Sequence, residues 1–158
     1  MDVARWGAGL LGLAVLVGAS APSQAAVAAA AARPSIVVFL SDDEDLASHA
    51  YMSKTKRLIE DQGVNLANYF VSYSFCCPSR TTILRGQYAH NHRIEGNDLP
   101  TGGFAKFKAM GHGRSTVATW LDAAGYHTGF FGKLMNGYEA EQDAPLPGWD
   151  DWYGVGGG

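Results

Sequence analysis

Apolar positions change their spacing several times along this chain. Ile36 to Leu40 are apolar without interruption, and Ser41, Asp42 and Asp43 then turn polar and acidic. A continuous run of this kind predicts a central strand buried on both faces, as in a parallel sheet. Its carboxyl end would set Asp42 and Asp43 at the sheet edge, where open α/β folds keep their ligand crevices. "YMSKTKRLIEDQG", residues 51–63, has helical composition and ends on Gly63, which suits a left-handed C-terminal cap. Residues 64–74 alternate enough for a strand or an extended segment. Pro78 fits the first turn of a helix running to about Leu84, closed by Gly86. Residues 87–113 are polar and Gly-rich without a clear period and read as a long loop. Ser115 or Thr116 caps the next helix, Val117, Trp120 and Leu121 form its apolar face, and Gly125 ends it before a strand from Tyr126 to Phe131. Strands alternating with helices predict an α/β fold with parallel pairs. Trp149, Trp152 and Tyr153 need a partner surface, but no element is predicted to carry them, and the C-terminal stretch reads as the truncation of a longer fold.

Residues 1–32 stand apart from this pattern. Arg5, an apolar run through Val17 and small residues around Ser23, Gln24 and Ala25 make a secretory signal peptide, followed by an Ala-rich tail. The apolar run is short for a bilayer, so stable membrane insertion is not expected, an uncleaved anchor being the alternative. The protein is therefore expected to be secreted or extracytoplasmic. Residues 33–158 suffice for one modest core. A formal charge of -3 without a basic stripe argues against nucleic acid as a partner. Export permits disulfides, yet Cys76 and Cys77 are the only cysteines, and neighbours bridge only with strain.

Those two cysteines lie in "YSFCCPSRTTILRG", residues 73–86. With Pro78 in the first turn, Cys76 sits at a helix mouth, where unpaired N–H groups and the positive end of the dipole favour an anion. Arg80, four residues on, can point to the same side and grip an oxyanion. This suits sulfate or phosphate chemistry; two small buried side chains at a helix start are the plain alternative. A tyrosine-phosphatase-like loop fails, because the sixth residue after Cys76 is Thr82 and after Cys77 is Ile83, not arginine. Zinc is disfavoured by the lack of a C-x-x-C pair. Asp42 and Asp43 offer the oxygens a hard divalent ion prefers, or form a solvated acidic turn continued by Glu44 and Asp45. His90 and His92 could share one face of a strand as metal ligands, or lie in a loop near a polar surface; His127 reads as packed or hydrogen-bonded.

"CCPSRTTILRG" resembles the sulfatase signature C-x-P-S-R followed by L-x-G, matched by Cys76, Pro78, Ser79, Arg80, Leu84 and Gly86. The resemblance implies an alkaline-phosphatase-like sandwich with a largely parallel or mixed sheet flanked by helices. It also implies that a formylglycine-generating enzyme converts Cys76 before folding, and that the hydrated aldehyde is the nucleophile. "SIVVFLSDDEDL" is similar to the family's first strand, which would make Asp42 and Asp43, with the converted position 76, ligands of Ca2+ or a similar ion. "GYHTGFFGKLMNGY" resembles the segment that places Lys133 on the sulfate. Many members have a histidine where this chain has Met135; the G-K-x-x-N form with Asn136, together with "HNHR" at 90–93, is similar to glucosamine-6-sulfatase-like members.

The implied reaction is hydrolysis of a sulfated carbohydrate, such as 6-sulfated glucosamine units, or of an aryl sulfate ester. One hydroxyl of the hydrated aldehyde would attack sulfur and the other would later eliminate sulfate, with the metal, Arg80 and Lys133 stabilising the charge. Complete members are several times longer, and their further metal ligands and leaving-group acid have no counterpart here. The chain is therefore expected to be an N-terminal portion, inactive or nearly so alone. Phosphate or phosphonate ester hydrolysis, and a non-catalytic anion- or glycan-binding role with Cys76 left as a thiol, are the alternatives.

Overall fold

A computed structural model of the chain describes residues 33–157. The signal-peptide reading of residues 1–32 lies outside them. Contacts divide the chain into two units after Val38. Of the first unit residues 33–38 are described, and they form no regular element. The second contains the helices α1 (Ser53–Leu58), α2 (Cys76–Arg85), α3 (Ala89–His92), α4 (Gly103–Ala109) and α5 (Val117–Ala123), then the strands β1 (Gly129–Asn136) and β2 (Asp151–Gly157). Short 3-10 turns occupy Ser48–Tyr51, Glu60–Gln62 and His112–Arg114.

The expected parallel pairing is present: β1 and β2 run parallel, Gly129 opposite Asp151 and Lys133 opposite Val155. The C-terminal stretch, for which no element was predicted, is thus a strand. Its aromatic residues close the core from one side. Trp152 stacks on Phe130 at 4.9 Å between ring centres, Trp149 meets Phe130 edge-on at 5.3 Å, and Trp152 Nε1 donates to Tyr138 Oη at 2.8 Å. Leu84, Ile94, Phe104, Phe107, Leu134, Met135 and Leu146 fill the centre. Each such side chain, fully buried, contributes about 1.5–3 kcal/mol.

Other expectations are corrected. The run from Ile36 to Leu40 is exposed and forms no strand, because among the described residues β1 and β2 pair only with each other. A parallel strand is held by its neighbours, and apolar character alone does not supply them. The helix expected over 51–63 breaks into α1 between two 3-10 turns, none burying a residue, so no packed face extends it. Gly63 has φ -128° and is not a left-handed cap. Residues 64–74 are irregular and exposed. The expected loop at 87–113 instead holds α3, α4 and a 3-10 turn, anchored by Phe104 and Phe107. In α5 the fully buried residue is Ala118; Val117 is half-buried and Trp120 exposed. The strand expected at Tyr126–Phe131 begins three residues later, at Gly129. Residues before it are engaged elsewhere: Tyr126 N–H closes the end of α5 on Leu121 O at 3.0 Å, and Thr128 N–H donates to the Asp150 carboxylate at 2.7 Å.

Two boundaries follow the sequence closely. Gly86 ends α2 in the left-handed region, φ 60° and ψ 29°. Thr116 stands before α5, its N–H donating to Thr119 Oγ1 at 3.0 Å. Along β1 the inward and outward alternation fails, since Leu134 and Met135 are both buried where the register with β2 slips between Lys133 and Asn136. Such irregularities re-aim side chains, and here they flank Lys133.

Candidate active site

Helix α2 opens directly on Cys76, after Phe75 in extended conformation. Pro78 is accommodated in the first turn because the N–H it lacks would have had no helical partner. Of the remaining free N–H groups, that of Cys77 donates to Asn97 Oδ1 at 2.9 Å.

Four other side chains and one backbone oxygen converge on this helix mouth. Lys133 Nζ donates to Asp42 Oδ2 at 2.6 Å and lies 3.7 Å from Cys76 Sγ. Arg80 Nη2 donates to Asp42 Oδ1 at 3.1 Å, while its Nη1 donates to the backbone oxygen of Lys133. Asp43 Oδ1 is 4.0 Å from Cys76 Sγ, and its backbone takes φ 53°, a left-handed conformation that aspartate tolerates better than most residues. Every residue assigned to the site from sequence, Asp42, Asp43, Cys76, Arg80 and Lys133, is therefore in one cluster.

Electrostatics follow from that geometry. The Lys133 ammonium holds the Asp42 carboxyl below the ordinary carboxylate range; partial burial opposes the shift and Arg80 adds to it. Reciprocally, the hydrogen bond to Asp42 raises Lys133. Lys133 thus stays charged, and Asp42 stays ionised, at neutral pH. Cys77 differs from its neighbour: it is fully buried, and burial pushes its thiol up. Neither cysteine is in a disulfide.

One ligand atom from each of Asp42, Asp43 and Cys76 lies within 4.8 Å of the others. Two carboxylates at this spacing fit part of the shell of a hard divalent ion, which takes oxygen ligands. The hydrogen bonds on Asp42 do not preclude it, because an ionised carboxylate has about four lone-pair sites. The three residues fit the group as part of a donor set.

The remaining candidates fall elsewhere. His90 and His92 lie on α3, not on a strand. His90 is exposed and stacks on Tyr88, with 5.9 Å between ring centres. His92 is buried, its Nε2 3.1 Å from Thr82 Oγ1 and its Nδ1 accepting from Ile94 N–H at 3.1 Å. His127 is exposed and pairs with Asp151 at 2.7 Å, which raises its pKa. Asn136 puts Oδ1 3.8 Å from Cys77 Sγ. Asn97 gave no sequence signal at all: it sits within the stretch read as a loop, twenty residues from the amide it receives.

The comparisons with known proteins agree with the geometry. The family model described as Sulfatase matches residues 34–158. An arylsulfatase of Volvox carteri is 40% identical over 134 residues, 80% of this chain and 21% of its own length. The human N-acetylglucosamine-6-sulfatase is 36% identical over 137 residues, 82% of this chain and 25% of its own. A putative extracellular sulfatase of Caenorhabditis elegans is 34% identical over 122 residues, 76% of this chain and 17% of its own. No solved structure matches. The chain belongs to the sulfatase family, whose domain has the alkaline-phosphatase-like fold. It spans about a fifth of the length of the curated relatives it matches.

Proposed function

We propose that this chain carries the nucleophile half of a sulfuric ester hydrolase, with position 76 as the attacking residue. The observation that supports this most is the meeting of Cys76, two carboxylates and two cations at the first turn of α2. Conversion of Cys76 to formylglycine, by a formylglycine-generating enzyme acting on an exported chain, would supply a geminal diol where the gene encodes a thiol. Asp42, Asp43 and position 76 would hold a divalent ion such as Ca2+, which would supply positive charge toward the sulfate oxygens and favour an ionised diol.

This chain's own residues do the rest. Lys133 and Arg80 present two fixed positive charges to the sulfate, whose oxygens gain charge as the ester bond breaks. Asp42 pairs with both cations and keeps them in place, so little reorganisation is needed when substrate arrives. A mobile thiol-sized side chain alone at that spot would need none of these partners.

For substrate, we propose a sulfated carbohydrate, with 6-sulfated glucosamine units foremost, by likeness to the N-acetylglucosamine-6-sulfatases; aryl sulfates would serve as laboratory substrates. Secretion is the matching localisation, by likeness to relatives named as extracellular sulfatases. No helix among the described residues is long and apolar enough to cross a membrane. The leaving-group acid is left unassigned; the metal-ligand group at this cluster, Asp42, Asp43 and Cys76, contains no histidine among the described residues.

The 158-residue chain alone is expected to be inactive or nearly so, so the test is the rates on matched aryl sulfate and aryl phosphate esters with these residues in place within a complete sulfatase domain. Faster turnover of the sulfate, lost in Cys76→Ala, is the expected result. Preference for the phosphate would replace sulfatase with phosphate ester hydrolase, and turnover surviving Cys76→Ala would remove position 76 from the chemistry.

A further inference from the structure

Helix α2 lacks a cap of its own. Phe75, the residue before it, offers no side-chain oxygen, and Pro78 removes one N–H of the first turn. The part usually played by a neighbouring Ser, Thr, Asp or Asn is taken by a residue far along the chain: Asn97 Oδ1 receives the Cys77 N–H at 2.9 Å. The same short segment touches the other side of position 76, where Tyr73 Oη donates to Glu95 O at 2.9 Å. Asn97 O also lies 3.9 Å from the buried Cys77 Sγ. Residues 95–97 therefore form a strap bonded to the chain three residues before and one residue after Cys76.

That strap is itself held firmly. Glu95 N–H donates to Thr101 O at 2.9 Å, Gly102 N–H to Asp98 O at 2.7 Å and Gly103 N–H to Gly96 O at 3.0 Å. Glycine is required where this loop closes: a Cβ on Gly102 would fall 1.6 Å from Gly96 O, and one on Gly103, at φ 76°, 2.5 Å from Asn97 O. The loop fixes the Asn97 backbone, from which the side-chain oxygen reaches the Cys77 N–H.

We infer that Asn97 is a positioning residue for the nucleophile, capping α2 from outside so that the position-76 side chain stands at a fixed place beside Lys133 and Asp43. This rests on the sulfatase reading for its consequence in catalysis, though not for the hydrogen bond. Asn97 touches neither sulfate nor the reacting atoms; it acts through the Cys77 amide. An error of about 1 Å in a nucleophile can cost on the order of a hundredfold in rate, so the first peptide units of α2 are where orientation matters most.

The test compares Asn97→Ala and Asn97→Asp with the parent, by hydrogen exchange at the Cys77 amide in the 158-residue chain and by kcat and KM on an aryl sulfate with these residues in place within a complete sulfatase domain. In Asn97→Ala the Cys77 amide should exchange about tenfold faster, as expected for one lost hydrogen bond. kcat should fall roughly 10- to 100-fold with KM held within about threefold. Asn97→Asp, which keeps an acceptor at the same place, should restore both. Slow exchange and full kcat in Asn97→Ala would overturn the inference, as would an Asn97→Asp protein that folds yet behaves like the alanine variant. Should Asn97→Ala fail to fold, Asn97→Asp decides: slow exchange with activity supports the role, and fast exchange in a folded protein overturns it. Should the parent sequence within that complete domain turn over no sulfate ester, the sulfatase reading fails, and the Cys77 exchange rates alone decide the placement.

Discussion

Asp42 is bound by two cations through different oxygens, Lys133 at 2.6 Å and Arg80 at 3.1 Å. Removing the first should therefore move its titration. In Lys133→Met the Asp42 carboxyl is expected to titrate closer to the ordinary value of 3.8, read by carboxyl NMR shifts against pH. The sign for stability follows: a depressed carboxyl contributes above its unfolded pKa, and the contribution is lost as pH falls through the folded value. The carboxylate is more than one-third exposed, so solvent screening keeps that contribution small. His92 and His112 act in the same direction for another reason. Burial, chiefly, lowers both, and His92 Nδ1 accepts from Ile94 N–H, so acid must place a proton where a hydrogen bond already ends. Stability from this pair is complete above the ordinary 6.5 and declines as pH falls through the lowered values. The urea midpoint is expected to drop from about pH 7.5 to about pH 5, and less steeply in His92→Asn; an unchanged slope would show that His92 is not responsible. At this scale the sequence was informative where chemistry needs rare residues in fixed spacing, as with Cys76, Pro78 and Arg80. It was silent on Asn97, because an asparagine acting across a loop has no periodic signature.

Elements were legible in proportion to their punctuation. Helix α2 has Pro78 inside its start and Gly86 past its end, and the structure honours both. Gly86→Ala would meet only the Trp120 ring, at 3.9 Å, so the expected loss of about 1 kcal/mol is a backbone effect alone. Gly102→Ala is different, because its methyl would strike Gly96 O. A loss of about 1–3 kcal/mol is expected there, together with faster exchange of the Cys77 amide; both are measurable on the folded variant. Helix α4 was missed because Phe104 and Phe107 alone define its buried side, too few apolar positions to set a period. Helix α3 ends on Arg93 at φ 61° without the glycine that would have marked it. Strand β2 was missed because Gly154, Gly156 and Gly157 dilute its pattern, and its aromatic residues find their partners only across the sheet.

At the scale of the whole molecule, the α/β class and its parallel pairing were readable, while the extent of the sheet was not. Two parallel strands leave Phe131, Tyr153 and Val155 exposed, and Phe39, Leu40 and Phe70 are exposed as well. Parallel sheets are ordinarily covered on both faces, and apolar surface of this kind favours association. The 158-residue chain alone is expected to self-associate with rising concentration in sedimentation velocity, and Phe131→Thr with Tyr153→Thr to reduce it; a monodisperse monomer at high concentration would contradict this. Most of the relatives' length has no counterpart in this chain, which spans 21% of the Volvox arylsulfatase, so the proposed nucleophile is the part of the reaction these residues can answer for. That makes the chemical state of position 76 the most direct measurement: peptide mass spectrometry of the protein produced by its own host, across Tyr73 to Arg80. A side chain in which one oxygen replaces sulfur and two hydrogens is the expected result. A thiol retained at Cys76 in all of that protein would contradict it.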